Sequence, residues 1–362
     1  MSIKGRFSML SMFLICPDSN QPRVHKREAV LRKLAPTRAA GFERPYYPES
    51  SFAKVADYVS LGKLSYSMVR RLPSLLRAIF IVRRIRNDND VLYAFSLDTY
   101  VLGRVAGLPP GILEVSDLRA RGKYNPIIKT IENWVLRDCK AVVLTSLGFA
   151  TRYDKKRLSS GAKVHLIENK LDRQFSGRRP AIDPMGSEKI KIGLIGLLRF
   201  KRPIEYLLKA VIESPNLQLV CHGDGPYRHL VENTVHPNIQ YHGPFSNPDE
   251  LEKVYKSIDV NYVVYDTRIK NVQVAVPNKL YESIFFSTPI LAADGTHFGE
   301  EVLAKGLGEC LSLASYKAFQ HGLVNIDDQW VRRYQLSCAD VPERDVIDDS
   351  DIVLTKLLED FS

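Results

Sequence analysis

Short apolar runs alternate with helix-period segments along almost the whole chain. In the first half, MLSMFLIC (9–16) reads as a buried strand, and PRVHKREAVLRKL (22–34) reads as a basic amphipathic helix with Pro22 near its start. The stretch SMVRRLPSLLRAIFIVRRIR (67–86) is apolar on one face and rich in Arg on the other. DVLYAFS (90–96), GILEVS (111–116) and AVVLTS (141–146) read as strands, with YNPIIKTIENWVLRDC (124–139) as the helix between the last two. KVHLIEN (163–169) is a further strand. RQFSGRRPAIDPMGSE (173–188) has the Gly, Pro and Ser content of a linker.

The second half restarts the same grammar. KIKIGLIG (189–196), LQLVCHG (217–223), NIQYHG (238–243), DVNYVVYD (259–266) and PILAAD (289–294) read as strands. PIEYLLKAVIES (203–214), YRHLVENT (227–234), NPDELEKVYKSI (247–258, capped by Asn247 or Asp249) and NKLYESIFFS (278–287) read as helices between them. Alternation of this kind favours parallel sheets built from βα units. The expected fold is α/β: two Rossmann-like, doubly wound domains facing a cleft. The boundaries expected are 1–185 for a basic domain, 186–340 for a second domain, and 341–362 for a C-terminal helix returning to the first. In open sheets of this type ligands sit outside the carboxyl ends of the strands.

Composition narrows the picture. The 362 residues, 45% hydrophobic and 25% charged, suffice for two cores. No apolar run approaches the ~20 residues that span a bilayer. FSMLSMFLIC lacks a small-residue cleavage site and reads as a strand, not a signal sequence. Cys16, Cys139, Cys221, Cys310 and Cys338 are scattered without metal-ligand spacing, as expected of reduced thiols in a cytoplasmic protein. The net charge of +10 is unevenly spread. Residues 1–185 carry 33 Lys and Arg against 16 Asp and Glu, a net +17; the remainder carries 18 against 25, a net −7. A basic half calls for an anionic partner: nucleic acid, a membrane surface or a phosphorylated substrate. Nucleic acid is not expected, because the aromatics are not interleaved with the charges as stacking platforms. An Arg-rich amphipathic stretch such as 67–86 suits an anionic membrane surface, and equally a helix on its own sheet with solvated arginines.

Candidate chemistry follows directly after strands. LLRFKRP puts Arg199, Lys201 and Arg202 within four positions, a phosphate cradle or a solvated basic loop. HGDGP (222–226) offers Gly223 and Gly225 for a tight turn and close backbone approach. In VPNKLYESIFFSTPIL (276–291), a helix starting near Asn278 would aim its first amides, at Lys279, Leu280 and Tyr281, at a diphosphate. Glu282, one turn in, could accept two hydrogen bonds from a ribose diol, or simply favour the helix dipole. His297 is a phosphate ligand or a turn residue. DDSD (348–351) fits a helix N-cap better than a metal site.

The order of these segments resembles the family-4-type glycosyltransferases of the GT-B fold. The resemblance rests on Gly196 with Arg199, Lys201 and Arg202; on Gly223-Asp224-Gly225-Pro226; on Asn238-Ile239 with Gly243; on Tyr255 with Asp259-Val260; and on Pro277 to Glu282 with Pro289. It covers most of 190–310. More loosely, QPRVHKREAVLRKL, LEVSDLR, IENWVLRDCKAVVLTS and Asn169 resemble the acceptor-side domain of the same enzymes. The resemblance implies a donor site in which Glu282 holds the ribose of a nucleoside-diphosphate sugar. The basic turn would neutralise the diphosphate, with DGTHFGEEV lying over the phosphates. It implies transfer to an acceptor hydroxyl with no metal and no cofactor. Arg199 is then the catalytic cation, and Glu114 and Asp117 are the carboxylates for a general base or for orienting the acceptor. Ser116 stands where some relatives have His. The sequence departs from the pattern at Val274, where many retaining members have a Glu, with Asn271 and Gln273 nearby, and at Leu197, where an Arg is common. The expected acceptor is a glycan, most simply linked to a lipid diphosphate at the inner face of the cell membrane, in capsule, exopolysaccharide or O-antigen assembly. Two alternatives share these features: a nucleotide-sugar 2-epimerase, and a non-catalytic nucleotide-sugar-binding partner of another transferase.

Overall fold

The computed structural model describes residues 10–19, 21–43, 58–65, 68–117, 125–152, 163–182 and 188–361. The chain forms two compact units. One comprises residues 1–169 with 349–362, the other residues 170–348.

In the first unit the continuous apolar runs become strands buried on both faces, as parallel sheets require. These are β1 (Ser11–Cys16), β4 (Asp90–Ala94), β5 (Ile112–Val115) and β6 (Ala141–Leu144). With β2 (Thr37–Glu43), β3 (Tyr58–Lys63) and β7 (Lys163–Leu166) they make a seven-stranded sheet of order β3-β2-β1-β4-β5-β6-β7. Every pairing is parallel. The helices are α1 (Pro22–Leu34), α2 (Met68–Ile85), α3 (Leu97–Val105) and α4 (Asn125–Asp138). α2 packs on α3 and α3 on α4. α3 opens with a capping box in which Ser96 and Thr99 satisfy each other's backbone amides.

The second unit repeats the plan. β8 (Ile190–Leu197), β9 (Leu217–Asp224), β10 (Ile239–Gly243), β11 (Val260–Val263), β12 (Ile290–Ala293) and β13 (Gly308–Leu311) form a parallel sheet of order β10-β9-β8-β11-β12-β13. Its helices are α5 (Lys201–Glu213), α6 (Arg228–Glu232), α7 (Leu251–Lys256), α8 (Lys270–Val274), α9 (Lys279–Phe285), α10 (His297–Ala304), α11 (Tyr316–His321) and α12 (Asp328–Asp340). Both sheets are doubly wound, and the strand order reverses between β1 and β4 and between β8 and β11. Each reversal opens a crevice at the carboxyl ends of those strands.

The unit boundary differs from the sequence expectation. The expected linker from 173 belongs in large part to the second unit, because Leu171 joins its core and donates its amide to Val346. Arg179 there donates to the carbonyls of Ile284, Cys338 and Val341. Val346 and Ile347 also pack in that core, so only the last helix, α13 (Ser350–Glu359), returns to the first unit. It buries Leu354, Leu357 and Leu358 against α1 and β7. Its N-cap is Asp349, which makes no side-chain cap bond, while the Asp351 carboxylate accepts from the Ile352 amide in the first turn at 2.8 Å. Likewise α7 starts after Glu250, and neither Asn247 nor Asp249 caps it.

Candidate functional site

At the β8/β11 reversal, two glycine turns are joined. The Leu198 amide donates to the Asp224 carbonyl at 2.8 Å, and the Tyr227 amide donates to the Leu198 carbonyl at 2.9 Å. Glycine is obligatory here. A Cβ on Gly223 would sit 1.9 Å from the Gly196 oxygen, and one on Gly225 (φ +148°) 2.9 Å from the Leu198 nitrogen. A Cβ on Gly196 (φ +98°) would lie 3.6 Å from Lys279 Cε, so the Lys279 side chain runs along the same turn.

Glu282 lies in the first turn of α9 and is 3% exposed. Its Oε2 accepts from Lys279 Nζ at 2.7 Å and from the Tyr255 hydroxyl at 3.0 Å. Its Oε1 accepts from the Asn278 amide group. Behind it, Asn261 Nδ2 donates to the Tyr255 hydroxyl at 3.1 Å and to Ser283 Oγ at 2.7 Å. Asn261 on β11 thus fixes the phenol that fixes the carboxylate. Burial first, then the Glu282 charge, pushes the Tyr255 hydroxyl well above its ordinary value, so it stays a donor. Sequence reasoning named Tyr255 only as a motif position and missed Asn261. A polar residue inside an apolar strand run was the available signal.

Arg199 is exposed, stacks over the Phe200 ring at 4.9 Å, and makes no ion pair among the described residues. Phe200 in turn packs on Tyr265, ring centroids 4.9 Å apart. The Tyr265 hydroxyl is pushed up to about 12 chiefly by burial; the Arg199 guanidinium pulls it down and the Glu282 carboxylate pushes it up. Arg199 and Glu282 therefore act on one neighbourhood at the carboxyl ends of β8 and β11.

Other expected residues go elsewhere. Leu280 and Tyr281 are core side chains. Their amides do not wait for a phosphate, since Leu280 donates to Pro277 and Tyr281 to Asn278, both at 3.1 Å. The first turn of α9 is tightened by these bonds to the carbonyls three residues back, which close its leading amides on itself. Arg202 donates to the carbonyls of Leu313 and Ala314 beyond β13, which takes it out of the basic cradle. Lys201 stays exposed, 3.6 Å from Glu205. His297 opens α10 within 3.6 Å of Glu300 and 4.0 Å of Glu301, carboxylates that oppose an anion beside it. Gln273, on α8, donates to the Thr267 carbonyl just before that helix. Among the described residues, no group of three His, Cys, Asp or Glu is placed to hold a metal ion.

The first unit has a pocket at its own β1/β4 reversal, about 590 Å³ with its open mouth included, lined by Gln21, Arg23, Ser96, Glu114, Ser116, Asp117 and Glu132 among others. Glu114 is fully buried. Its Oε2 accepts from Arg27 Nε at 2.9 Å and from the Tyr93 hydroxyl at 2.6 Å. Arg23 Nε lies 3.1 Å from Oε1 but off the hydrogen-bond direction, so both atoms are buried without a hydrogen bond. Burial alone would raise the Glu114 carboxyl; the Arg27 and Arg23 guanidinium groups outweigh it and hold it below its ordinary value. A carboxylate held so is a weak general base, so of the two roles expected for Glu114 the structure favours orientation. Asp117, exposed on the pocket wall, is the carboxylate in reach of solvent. Arg27, Arg23 and Tyr93 were not singled out from sequence, because a buried Arg in a basic helix reads like its solvated neighbours.

No family model matches the chain. Over 178 residues it is 25% identical to a Bacillus subtilis (strain 168) protein named "Putative teichuronic acid biosynthesis glycosyltransferase TuaH"; the match covers 46% of this chain and 44% of that relative, less than half its length. Among solved structures, Anabaena HepE in complex with UDP and glucose is similar with a TM-score of 0.64 at 12% identity, over 97% of this chain and 99% of that one. Thermosynechococcus elongatus sucrose-phosphate synthase gives 0.70 at 14%, over 97% and 99%. The S. aureus MnaA–UDP structure gives 0.61 at 14%, over 97% and 96%. At these identities the likeness to solved structures is one of fold. The chain resembles the family-4-type glycosyltransferases, and its architecture is their pair of Rossmann-like α/β units, the GT-B fold.

Proposed function

We propose that the protein is a glycosyltransferase that moves a sugar from a nucleoside-diphosphate sugar to an acceptor hydroxyl. One observation carries the reading: Arg199, without an ion pair among the described residues, and a held Glu282 carboxylate share the switch-point crevice of the second sheet, beside turns that only glycine can make. In this reading the ribose hydroxyls donate to Glu282 Oε1, whose one partner among the described residues is Asn278. Arg199 and Lys279 meet the diphosphate charge, with no metal and no cofactor. The acceptor hydroxyl oxygen attacks the anomeric carbon and gives up its proton to a carboxylate base, the role expected of Asp117; the bond to the diphosphate breaks, and the departing oxygen carries the new negative charge toward Arg199. Cations placed where charge develops lower the barrier more than they tighten ground-state binding.

The first unit's pocket takes the acceptor. Glu114 and Arg23 present one acceptor oxygen and one donor nitrogen without hydrogen-bond partners, a pair suited to a sugar hydroxyl. The Bacillus subtilis relative is named for teichuronic acid biosynthesis, which supports reading the acceptor as a glycan, lipid-linked and presented at the inner face of the cell membrane. Incubation with a panel of nucleotide-sugars tests the reading. Release of free nucleoside diphosphate, faster with acceptor present, is the expected result. Conversion to another nucleotide-sugar without release would make it an epimerase, and a thermal shift with neither would make it a non-catalytic binder.

A further inference from the structure

Two helices of the first unit carry apolar stripes left open to solvent. On α2, Leu72, Leu76 and Phe80 are 60%, 51% and 70% exposed and recur every fourth residue, so they form one continuous edge. The other side of α2 is its packing face. Ala78 and Val82 are fully buried there, and Arg71 is buried in an ion pair with Asp98 at 2.6 Å. On α4, Ile127, Ile131 and Trp134 are 61%, 36% and 45% exposed at helical spacing. Both helices flank α3. Single exposed hydrophobics are ordinary, but periodic stripes on the two helices that flank α3 mark an interaction surface.

The charges around the α2 stripe say what it meets. By helix geometry Arg83 falls between Leu72 and Leu76, while Arg77 and Arg84 fall just beyond Phe80. Arg77 and Arg84 have no ion-pair partner among the described residues, and Arg83 donates only to the Val105 carbonyl. α2 holds five arginines and no acidic residue. The first unit as a whole carries 30 Lys and Arg against 18 Asp and Glu. Arg86, expected from sequence to join this face, instead pairs with Asp88 at 3.1 Å and packs on Gly107.

We propose that the α2/α4 face of the first unit docks on an anionic lipid bilayer. Leu72, Leu76, Phe80 and Trp134 enter the headgroup–acyl boundary, and Arg77, Arg83 and Arg84 meet lipid phosphates. No helix among the described residues is long and apolar enough to cross a membrane, so this face lies on the surface. The inference goes beyond the sugar-transfer reading and does not depend on it.

The chain has two tryptophans, and Trp330 is buried in the core of the second unit, so Trp134 reports docking. The full-length protein, at about 0.01 M salt, should co-sediment with phosphatidylglycerol/phosphatidylcholine vesicles and not with phosphatidylcholine alone. Brominated acyl chains should quench its emission, and Trp134→Phe should remove that quenching. Raising salt to about 1 M, where the Debye length falls from ~30 Å to ~3 Å, should release it. Leu76→Glu with Phe80→Glu, and separately Arg77→Glu with Arg84→Glu, should each weaken binding roughly tenfold or more. These positions are exposed, so circular dichroism should show an unchanged fold. The proposal is overturned by absence of vesicle binding at low salt, or by full binding in either double variant. It is equally overturned by a dimer in solution that Leu76→Glu with Phe80→Glu dissociates, with no lipid binding, which would give the face to a second copy.

Discussion

Glu282 and Glu114 are both carboxylates sealed from water, yet they are held for different ends. Glu282 is held by one lysine, one phenol and one amide, and its Oε1 has a single partner among the described residues. Glu282→Gln should weaken nucleoside diphosphate binding by roughly 1–3 kcal/mol, the scale of a charge-assisted hydrogen bond. Unchanged affinity by titration calorimetry would sink the ribose role. Tyr255→Phe should move affinity in the same direction by less, because it removes only the bond that positions the carboxylate. Glu114 faces the first unit's pocket as an anion held between Arg27 and Arg23. Glu114→Ala leaves the 2%-exposed Arg27 without its counter-charge, and should cost about 3–5 kcal/mol in denaturant unfolding at neutral pH. Its carboxyl in the folded chain is held below the ordinary 4.5. The stabilisation it brings is therefore complete above that value and is lost as pH falls through the lower folded value. The wild-type chain should lose stability below about pH 4.5 more steeply than the Glu114→Ala chain, which has no such group to protonate.

At the scale of elements, the paired glycine turn at the carboxyl ends of β8 and β9 is the most exacting piece. Gly223→Ala would drive a Cβ against the Gly196 carbonyl, which is backbone and has nowhere to move. We expect a loss of about 1–3 kcal/mol or more, as for overpacking, together with a fall in nucleotide affinity. A Gly243→Ala control, with nothing within 4 Å of its Cβ, should keep nucleotide affinity even though its positive φ strains the backbone. Unaltered affinity in Gly223→Ala would detach this turn from the donor site. This turn was legible in the sequence because glycine and basic residues announce themselves. α1 was legible to the residue, at 22–34, through its apolar period and leading Pro22. β2 was not, since TRAAGFE fills its buried positions with Ala39, Ala40 and Phe42, too small a signal for an apolar run. Gly41 in it answers a close approach, its Cβ position lying 2.4 Å from Cys16 Sγ. β3 is a half-exposed edge strand, and α3 hid behind a Ser-Leu-Asp-Thr start that reads equally as a loop. The site's residue types were visible, but their bonding was not. Whether Leu280 and Tyr281 amides are open depends on the carbonyls of Pro277 and Asn278, and whether Arg202 is open depends on carbonyls 111 and 112 positions away.

On the scale of the whole molecule, the chain leaves its first unit after Asn169 and comes back at Asp349. A chain that returns must tie the first unit to its own end. α13 does so by burying Leu354, Leu357 and Leu358, each fully, in the core that also holds Leu31 and Leu34 of α1. Lys163 adds an exposed pair to Asp360 at 2.5 Å, which contributes little by itself. Removing one such leucine costs about 2–5 kcal/mol, so the helix carries a large fraction of the 5–15 kcal/mol that typically stabilises a domain. Ending the chain after Asp348 should therefore unfold or strongly destabilise the first unit. The second unit should survive, because its last segment, Val346 and Ile347, closes its own core, and Asp348 still donates its amide to Leu171. Calorimetric melting should then show one transition lowered or lost and one kept, with nucleoside diphosphate raising only the transition that remains. Leu357→Ala should reproduce the shift in milder form. If both transitions fall together, the two units share one cooperative unit and the return of α13 is not what stabilises the first.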